Sequence, residues 1–214
     1  MRLIMKRLGF MTFDPVVASS HLCRVDPVLG RCINKVGQCQ LIVRRNRSVF
    51  EYLVKSIVYQ QLSGKAASAI YIRFLNNFPY HRVHPEQLLS LKLQQFQSAG
   101  LSKSKIKALQ HLAKASLSGD IPSISNLKRM HDDEIIEKFI SIWGIGRWTV
   151  EMLLIFYLGR SDVLPVNDLG ILRGYQKLHG YSELPSSDRL KRIGERWRPY
   201  RTVASWYLWR SLEV

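Results

Sequence analysis

The chain has 214 residues, of which 32 are Lys or Arg and 16 are Asp or Glu, so its formal net charge at pH 7 is +16. Hydrophobic residues make up 46% of the sequence, which is enough for a sizeable core and argues against general disorder. No apolar run approaches the ~20 residues of a membrane-spanning helix. The positive charge attracts polyanions, so it favours a nucleic-acid partner over a purely solubilising role.

The N-terminal segment and the cysteines predict neither export nor a metal site. Residues 1–12 are basic and apolar, but they lack the long hydrophobic stretch and the small-residue cleavage site of a secretory signal. We interpret them as a basic N-terminal extension that precedes one folded domain over residues 13–214. Cys23, Cys32 and Cys39 show no zinc-binding spacing, so free thiols in a reducing compartment are expected.

Helical periodicity dominates the rest of the chain. Ser48 and Glu51 have the spacing of a capping box, and apolar residues recur every three or four positions after them. Further helices are predicted over residues 63–77, 103–117, 135–143, 152–158 and 199–212. Strand signals are sparse, with one short candidate at residues 40–43. The sequence predicts an all-α fold of two helical lobes with a cleft between them and a crossing near residues 120–125.

The sequence Ile-Trp-Gly-Ile-Gly-Arg-Trp-Thr at residues 142–149 separates two strongly helical segments. Gly144 and Gly146 flank Ile145, and glycine tolerates positive φ and close backbone approach, so a tight hairpin is predicted here. Backbone amides after such a turn can hydrogen-bond a phosphate, and Arg147 can add charge. Ile145 either anchors the hairpin or faces the minor groove. An ordinary helix–turn–helix connection with a glycine stop explains the same residues.

Two further segments have patterns that suit chemistry and nucleic-acid binding. Residues 162–173 contain a proline and then a resumed helical pattern, which places Asn167 or Asp168 at a helix start. The helix dipole favours an ionised carboxylate there, although a simple N-cap role for Asp168 accounts for the same pattern. Residues 195–210 interleave arginines with aromatic residues, which suits phosphate contacts combined with base stacking, although part of this set must serve the core.

Together these segments resemble the helix-hairpin-helix DNA glycosylase superfamily, and most closely its 3-methyladenine DNA glycosylase II branch, the alkylpurine glycosylases. Similar stretches are Ile-Val-Tyr-Gln-Gln-Leu-Ser-Gly-Lys-Ala-Ala at 57–67, Ala-Gly-Leu-Ser-Lys-Ser-Lys at 99–105 and Phe-Tyr-Leu-Gly-Arg-Ser-Asp-Val at 156–163. The likeness runs in order from about residue 13 to the C-terminus, with the hairpin at about residues 140–150. It corresponds to the compact form, without the N-terminal sheet domain of some relatives.

This resemblance implies roles for individual residues. Asp168 falls on the family's catalytic carboxylate, and Gly144 and Gly146 fall on the hairpin glycines whose amides grip the lesion-strand phosphate. Relatives can hold a monovalent cation between the hairpin carbonyls and that phosphate, and no other cofactor or metal is expected. Lyase-competent relatives carry a lysine where this chain has Trp148, so a monofunctional enzyme without a Schiff base is expected.

The resemblance also implies how the DNA and the base are bound. Gln61 and Leu62 fall on the loop that enters the duplex, where one side chain fills the vacated base position and the other wedges beside it. The expected DNA-binding residues are Gln61, Leu62, Ser63, Lys65, Gly144, Ile145, Gly146, Arg147 and Thr149. The expected walls of the base pocket are Trp148, Phe156 and Trp209. A cationic alkylated purine gains roughly 0.5–2 kcal/mol over an aromatic ring, so such a pocket favours damaged bases.

The implied function is base excision repair of alkylation damage. The enzyme would flip alkylated purines of the 3-methyladenine and 7-methylguanine type out of the duplex and hydrolyse the N-glycosidic bond. The expected partner is double-stranded DNA that carries an alkylated base or an abasic site, bound by a monomer with no membrane involved. The expected compartment is the nucleus of a eukaryote or the cytoplasm of a bacterium.

Three departures from the family pattern leave a second hypothesis open. Asn167 stands where many relatives have aspartate, Trp143 where they often have lysine or proline, and Leu172 at a commonly basic position. The alternative is a catalytically weak or inactive protein that binds lesions or abasic sites with the same fold. A general basic nucleic-acid-binding module explains the charge but not the ordered motifs.

Overall fold

A computed structural model describes residues 11–214, so residues 1–10 of the predicted N-terminal extension lie outside the described residues. Residues 11–214 form thirteen α-helices. In chain order these are α1 Pro15–Val25, α2 Pro27–Val36, α3 Val49–Tyr59, α4 Gly64–Leu75, α5 Pro85–Ser90, α6 Leu93–Ala99, α7 Lys103–Leu117, α8 Ile124–Arg129, α9 Asp132–Ile140, α10 Arg147–Leu153, α11 Leu169–His179, α12 Ser187–Gly194 and α13 Arg201–Arg210. A π-helical segment, Leu154–Leu158, follows α10, and short 3₁₀ turns occur at Pro79–His81 and Glu195–Trp197.

The helices divide into two compact units. The first unit contains residues 11–44 and 154–214, and therefore α1, α2 and α11–α13. The second unit contains residues 45–153, and therefore α3–α10. Among residues 11–214, no helix combines the length and the apolar character that crossing a bilayer requires.

Local signals in the sequence account for the two central helices of the second unit. Helix α3 begins where the capping box predicts, because the Glu51 N–H donates to Ser48 Oγ and the Ser48 N–H donates to the Glu51 carboxylate, each at 3.1 Å. Helix α7 has the predicted bounds and is likewise capped by a serine, Ser102. The buried faces of α3 and α7 pack against each other, with Ile57 and Leu109 fully buried.

The first unit begins with two helices that the sequence analysis missed. Each starts with an aspartate N-cap followed by proline: Asp14 caps α1, and Asp26 caps α2. Asp26 also accepts a hydrogen bond at 2.9 Å from Nε1 of the fully buried Trp197. This carboxylate therefore fixes α2 to the segment that precedes α13.

The predicted all-α class is confirmed, since residues 11–214 contain no strand. Residues 40–43 do not form the predicted strand, and the next residue, Arg44, donates its N–H at 3.0 Å to the carbonyl of Phe156 in the π-helical segment. The predicted crossing at residues 120–125 is also wrong, because this segment lies inside the second unit. The chain passes between the units after Arg44 and after Leu153.

Four predicted helices have different bounds in the structure. Helix α4 ends at Leu75 rather than at residue 77, and α9 lies at Asp132–Ile140 rather than at residues 135–143. Residues 152–158 are not one regular helix, since α10 ends at Leu153 and the π-helical segment follows. The last helix begins at Arg201 rather than at Pro199, because Tyr200 has non-helical angles of φ −118° and ψ 31°.

Candidate active site

The predicted hairpin lies between α9 and α10 in the second unit. Gly144 has a φ of +88°, and a Cβ added there would lie 2.3 Å from Cβ of Ala108 on α7. Ile145 is buried, and its N–H donates at 3.1 Å to the carbonyl of Ile142, so it anchors the turn. Gly146 has no positive φ, and a Cβ added there meets no atom within 4 Å. Packing therefore requires glycine at Gly144 but not at Gly146.

The residues after the turn divide between surface and core. Trp148 is 44% exposed. The exposed Arg147 side chain places Nε 3.1 Å from the carboxylate of the buried Glu151, so part of its charge is balanced within α10. Thr149 is only 2% exposed, and this burial argues against a DNA contact by its side chain.

The loop between α3 and α4 presents the two predicted intercalating residues at the surface. Gln61 is exposed and has a φ of +55°, and Leu62 is 39% exposed. Ser63 is the N-cap of α4, with its Oγ accepting from the Ala66 N–H at 3.4 Å, and Lys65 is exposed on the first turn. A non-glycine residue at positive φ is strained, and such strain concentrates at binding and catalytic sites.

Gln60 is a functional candidate that the sequence analysis missed. Its Nε2 donates to the carbonyl of Gly144 and to Oγ1 of Thr149, each at 3.2 Å. The side chain thus joins the loop between α3 and α4 to the hairpin. Lys105 supports the same loop, because its Nζ donates at 2.7 Å to the Val58 carbonyl near the end of α3, and desolvation lowers its pKa. No sequence signal distinguishes Gln60 from its neighbour Gln61.

In the first unit, Asp168 is the N-cap of α11. Its Oδ1 accepts two hydrogen bonds at 2.9 Å, one from the N–H of Ile171 and one from Nε1 of Trp209 on α13. The two hypotheses for this residue are therefore compatible, since the carboxylate caps a helix and is also oriented by an indole.

Gly170 allows this contact to form. A Cβ added at Gly170 would lie 2.9 Å from Cδ1 of Trp209 and 3.0 Å from Oδ1 of Asp168. Only a glycine therefore leaves room for the indole to approach the carboxylate without a shift. This residue was not among the predicted site residues.

Two of the three predicted pocket aromatics come together beside Asp168. The rings of Phe156 and Trp209 stack with their centroids 5.8 Å apart and an interplanar angle of 27°. Phe156 lies in the π-helical segment, a conformation that is rare and often marks functional sites. Trp148 belongs to the other unit. The first unit thus contains a carboxylate, an indole and a phenyl ring in one cluster.

Comparison with known proteins identifies the family of this chain. Residues 54–199 match the sequence profile of the HhH-GPD superfamily of base excision DNA repair proteins. The chain belongs to this superfamily. DNA-3-methyladenine glycosylase 1 of Schizosaccharomyces pombe is 39% identical over 205 residues, which cover 92% of this chain and 87% of the relative. The alkylbase DNA glycosidase-like protein mag2 of that organism is 31% identical over 199 residues, which cover 90% of this chain and 92% of the relative.

Solved structures agree with this assignment. The S. pombe 3-methyladenine DNA glycosylase in complex with abasic DNA has a TM-score of 0.82 at 37% identity, covering 92% of this chain and 97% of that chain. A DNA-3-methyladenine glycosidase from Bacillus halodurans has a TM-score of 0.80 at 39% identity, covering 94% of this chain and 90% of that chain. These relatives confirm the predicted 3-methyladenine glycosylase branch and, with it, the predicted class of a base excision repair glycosylase.

Several residues of this HhH-GPD chain have structural partners that limit their roles. Asn167 accepts a hydrogen bond at 2.6 Å from the Ser187 hydroxyl, which directs its amide oxygen to α12. In the arginine-rich C-terminal segment, Arg201 places Nε 2.8 Å from the Asp162 carboxylate, and Tyr207 is fully buried. These two residues therefore serve the core of the first unit rather than DNA.

The hairpin of this HhH-GPD chain is also where a monovalent cation is expected. Backbone carbonyl oxygens suit such an ion. Those of Ile142 and Gly144 each accept one hydrogen bond within the second unit, whereas that of Gly146 accepts two, from the N–H groups of Thr149 and Val150. A carbonyl has two lone pairs, so the Ile142 and Gly144 oxygens are compatible with a further partner. The cation stays a prediction. Among residues 11–214, no cluster of three His, Cys, Asp or Glu side chains could hold a metal.

Proposed function

We propose that this glycosylase releases alkylated purines such as 3-methyladenine and 7-methylguanine from duplex DNA by hydrolysis, without cutting the strand. The observation that carries the proposal is the oriented carboxylate of Asp168 beside the stacked Phe156 and Trp209 rings. The similarity to DNA-3-methyladenine glycosylase 1 supports this substrate class. Trp148 supports a monofunctional reaction, because it offers no amine for a Schiff base at the position after the hairpin.

The aromatic pair would select the damaged base by its charge. Alkylation at a ring nitrogen such as N3 of adenine makes the purine cationic, whereas normal purines are neutral. A cation over an electron-rich ring gains roughly 0.5–2 kcal/mol, so Phe156 and Trp209 hold the damaged base more tightly than a normal one. The alkylated base is also a better leaving group, and selection and reactivity therefore act in the same direction.

Asp168 would stabilise the sugar as the base departs. The bond between C1′ and the base breaks, its electron pair leaves with the base, and positive charge develops on the deoxyribose. The carboxylate attracts this charge and can accept a proton from the water whose oxygen bonds to C1′. The donors on Oδ1, from Ile171 and Trp209, orient the carboxylate without neutralising it. The products are a free base and an abasic site.

The second unit would bind the DNA. The hairpin around Gly146 is exposed, and its amides would approach a backbone phosphate. Gln61 and Leu62 occupy the gap that the extruded base leaves, and the exposed Lys65 and Arg147 add positive charge near the phosphates.

We propose that the protein acts as a monomer and that its partner is duplex DNA that carries an alkylated base or an abasic site. It includes a monovalent cation at the hairpin and no other cofactor. Localisation is proposed to be nuclear in a eukaryote or cytoplasmic in a bacterium.

The proposal is tested by base release under single-turnover conditions. A duplex containing 7-methylguanine or 3-methyladenine is incubated with excess wild-type enzyme or with Asp168→Asn. Asparagine caps helices as well as aspartate does, so the variant keeps α11 while it loses the charge. We expect release by the wild type, no strand cleavage, and a rate about 10²–10³-fold lower for the variant, the size of effect that a lost transition-state electrostatic contact produces.

The opposite outcome identifies the alternative function. A wild-type protein that releases no base but binds an abasic-site duplex tightly is a lesion-binding protein that has lost the chemistry. Two observations favour this alternative. Asn167 carries no charge where relatives have aspartate, and mag2, at 31% identity, is named only as glycosidase-like.

A further inference from the structure

A stripe of three lysines and one histidine runs along the exposed side of α7. The stripe consists of Lys103, Lys107, His111 and Lys114, spaced by four, four and three residues, so all four lie on one helix face. All four are exposed, and the opposite side of the helix is buried in the second unit. The sequence of α7 contains no acidic residue. We call these four residues the α7 stripe.

The charges of the α7 stripe are not balanced by neighbouring carboxylates. Within residues 11–214, none of its three lysines forms an ion pair with Asp or Glu. Arg147 at the hairpin differs in this respect, because Glu151 holds its guanidinium. The stripe therefore presents its positive charge to solvent or to a binding partner.

The α7 stripe adjoins the hairpin through Trp143. Nζ of Lys107 lies 4.5 Å from the centroid of the Trp143 ring, and the His111 ring centroid lies 5.7 Å from it. The next residue, Gly144, packs against Ala108 of the same helix. Trp143 is 43% exposed. Its indole therefore connects the α7 stripe to the hairpin surface and leaves both accessible.

We propose that the α7 stripe and Trp143 form a second surface that binds the sugar–phosphate backbone of duplex DNA beside the hairpin. The inference rests on the proposed function only in taking duplex DNA as the ligand of the hairpin. From Lys103 to Lys114 the helix rises about 16 Å, which matches about five phosphates of one DNA strand. Lysines contact phosphates as point charges, so this surface binds without reading sequence.

Trp143 gives the surface its geometry. A lysine held over an indole is restricted in its rotamers, so Lys107 is already placed when a phosphate approaches. The exposed part of the ring can contact the apolar face of a deoxyribose. The surface thus extends the contact of the second unit with the duplex beyond the hairpin.

The test compares two triple variants that lose the same charge. The first is Lys103→Gln, Lys107→Gln and Lys114→Gln. The control is Lys35→Gln, Lys92→Gln and Lys191→Gln, which removes three exposed lysines that lie outside α7. The affinity of each protein for a duplex with an abasic-site analogue is measured by fluorescence anisotropy across a series of salt concentrations.

We expect the α7 variant to bind more weakly and to show a smaller salt dependence. Each phosphate contact contributes about 0.9 to the slope of log affinity against log salt, so the loss of three contacts lowers the slope by about 3. The control should keep the wild-type slope. Lengthening the duplex should strengthen binding by the wild type more than by the α7 variant. The single change Trp143→Leu should lower the slope by about 1, because Lys107 loses its placement.

Two results would overturn the inference: equal slopes for the wild type and the α7 variant, or equal reductions in both triple variants. Base release by the wild type is measured on the same duplex series with a methylated base. If the wild type releases no base while the slopes differ as expected, the proposed chemistry fails and the second DNA surface stands. If the wild type releases base and the slopes are equal, the second surface fails alone.

Discussion

The hairpin region and the carboxylate site lie in different units and are built by different means. In the second unit, backbone conformation shapes the surface, with Gly144 at a φ of +88° and Gln61 at +55°. In the first unit, side chains shape the site, since Asp168 accepts two hydrogen bonds at 2.9 Å beside a stacked aromatic pair. The contrast is between a surface fixed mainly by main-chain conformation and a site fixed by side-chain atoms held at short distances.

The two regions also differ in how they treat charge. Arg147 at the hairpin pairs with a buried glutamate, so its attraction for a phosphate is reduced. The two hydrogen bonds to Oδ1 of Asp168 come from the Ile171 N–H and the Trp209 indole, which carry no net charge and orient the carboxylate. We therefore expect a substitution at the carboxylate site to change the rate of base release. We expect a substitution at the hairpin to change the affinity for DNA.

The largest effect on the backbone-built region is expected from Gly144→Ala, with Gly146→Ala as its matched control. At Gly144 the new Cβ meets Ala108 and the residue is forced into left-handed backbone, so the free energy of unfolding should fall by about 2 kcal/mol. At Gly146 the added methyl group has open space, so stability should change by less than about 0.5 kcal/mol. Urea unfolding of both variants measures this difference. Equal stabilities would mean that packing on α7 does not fix the hairpin.

At the carboxylate site of the first unit, Trp209→Phe removes the indole N–H and keeps a ring that can stack on Phe156. We expect the single-turnover rate of base release to fall about tenfold, because a hydrogen bond to a charged group contributes about 1.5 kcal/mol or more. Affinity for abasic-site duplex should change much less. The control is Trp206→Phe on the same helix. If Trp209→Phe and Trp206→Phe both release the base at the wild-type rate, Trp209 does not orient Asp168.

Gln60→Ala tests the link between the intercalating loop and the hairpin. Loss of the two hydrogen bonds to Gly144 and Thr149 should weaken binding to damaged duplex about fivefold, since each bond contributes about 0.5–1.5 kcal/mol. The single-turnover rate at saturating enzyme should fall less than the affinity. Gln61→Ala, which removes the intercalating side chain itself, is the comparison. A fall in rate with unchanged affinity would place Gln60 in the chemistry instead.

The smallest effect is expected from Gly170→Ala. The added methyl group displaces the Trp209 indole from Asp168 by a few tenths of an ångström, so the rate should fall about threefold. Stability should not fall with it, because alanine in a helix is favoured over glycine by about 0.5–1 kcal/mol. Measuring the rate of base release and the free energy of unfolding on the same preparation separates the effect on chemistry from the effect on stability. A loss of stability without a loss of rate would contradict the proposed role of Gly170.

Helices whose signals are local were predicted well. The capping box at Ser48 and the run of residues 103–117 matched α3 and α7, because caps and apolar spacing act within one or two turns. Helices α1 and α2 carried an equally local signal, an aspartate followed by proline, that the sequence analysis did not use. Helix α9 begins at Asp132, three residues before its apolar pattern, since acidic residues favour the first turn.

The sequence by itself determined the helical class, the glycine hairpin and the carboxylate at a helix start, since each depends on residues close in the chain. Only the tertiary structure decided which side chains from distant parts of the chain contact these features. The indole of Trp209 reaches Asp168 across 41 residues, and Gln60 reaches the Gly144 carbonyl across 84. Such contacts depend on how helices pack, and many side chains of the same type occur along the chain. No local pattern selects among them, so only the folded units fix the partners.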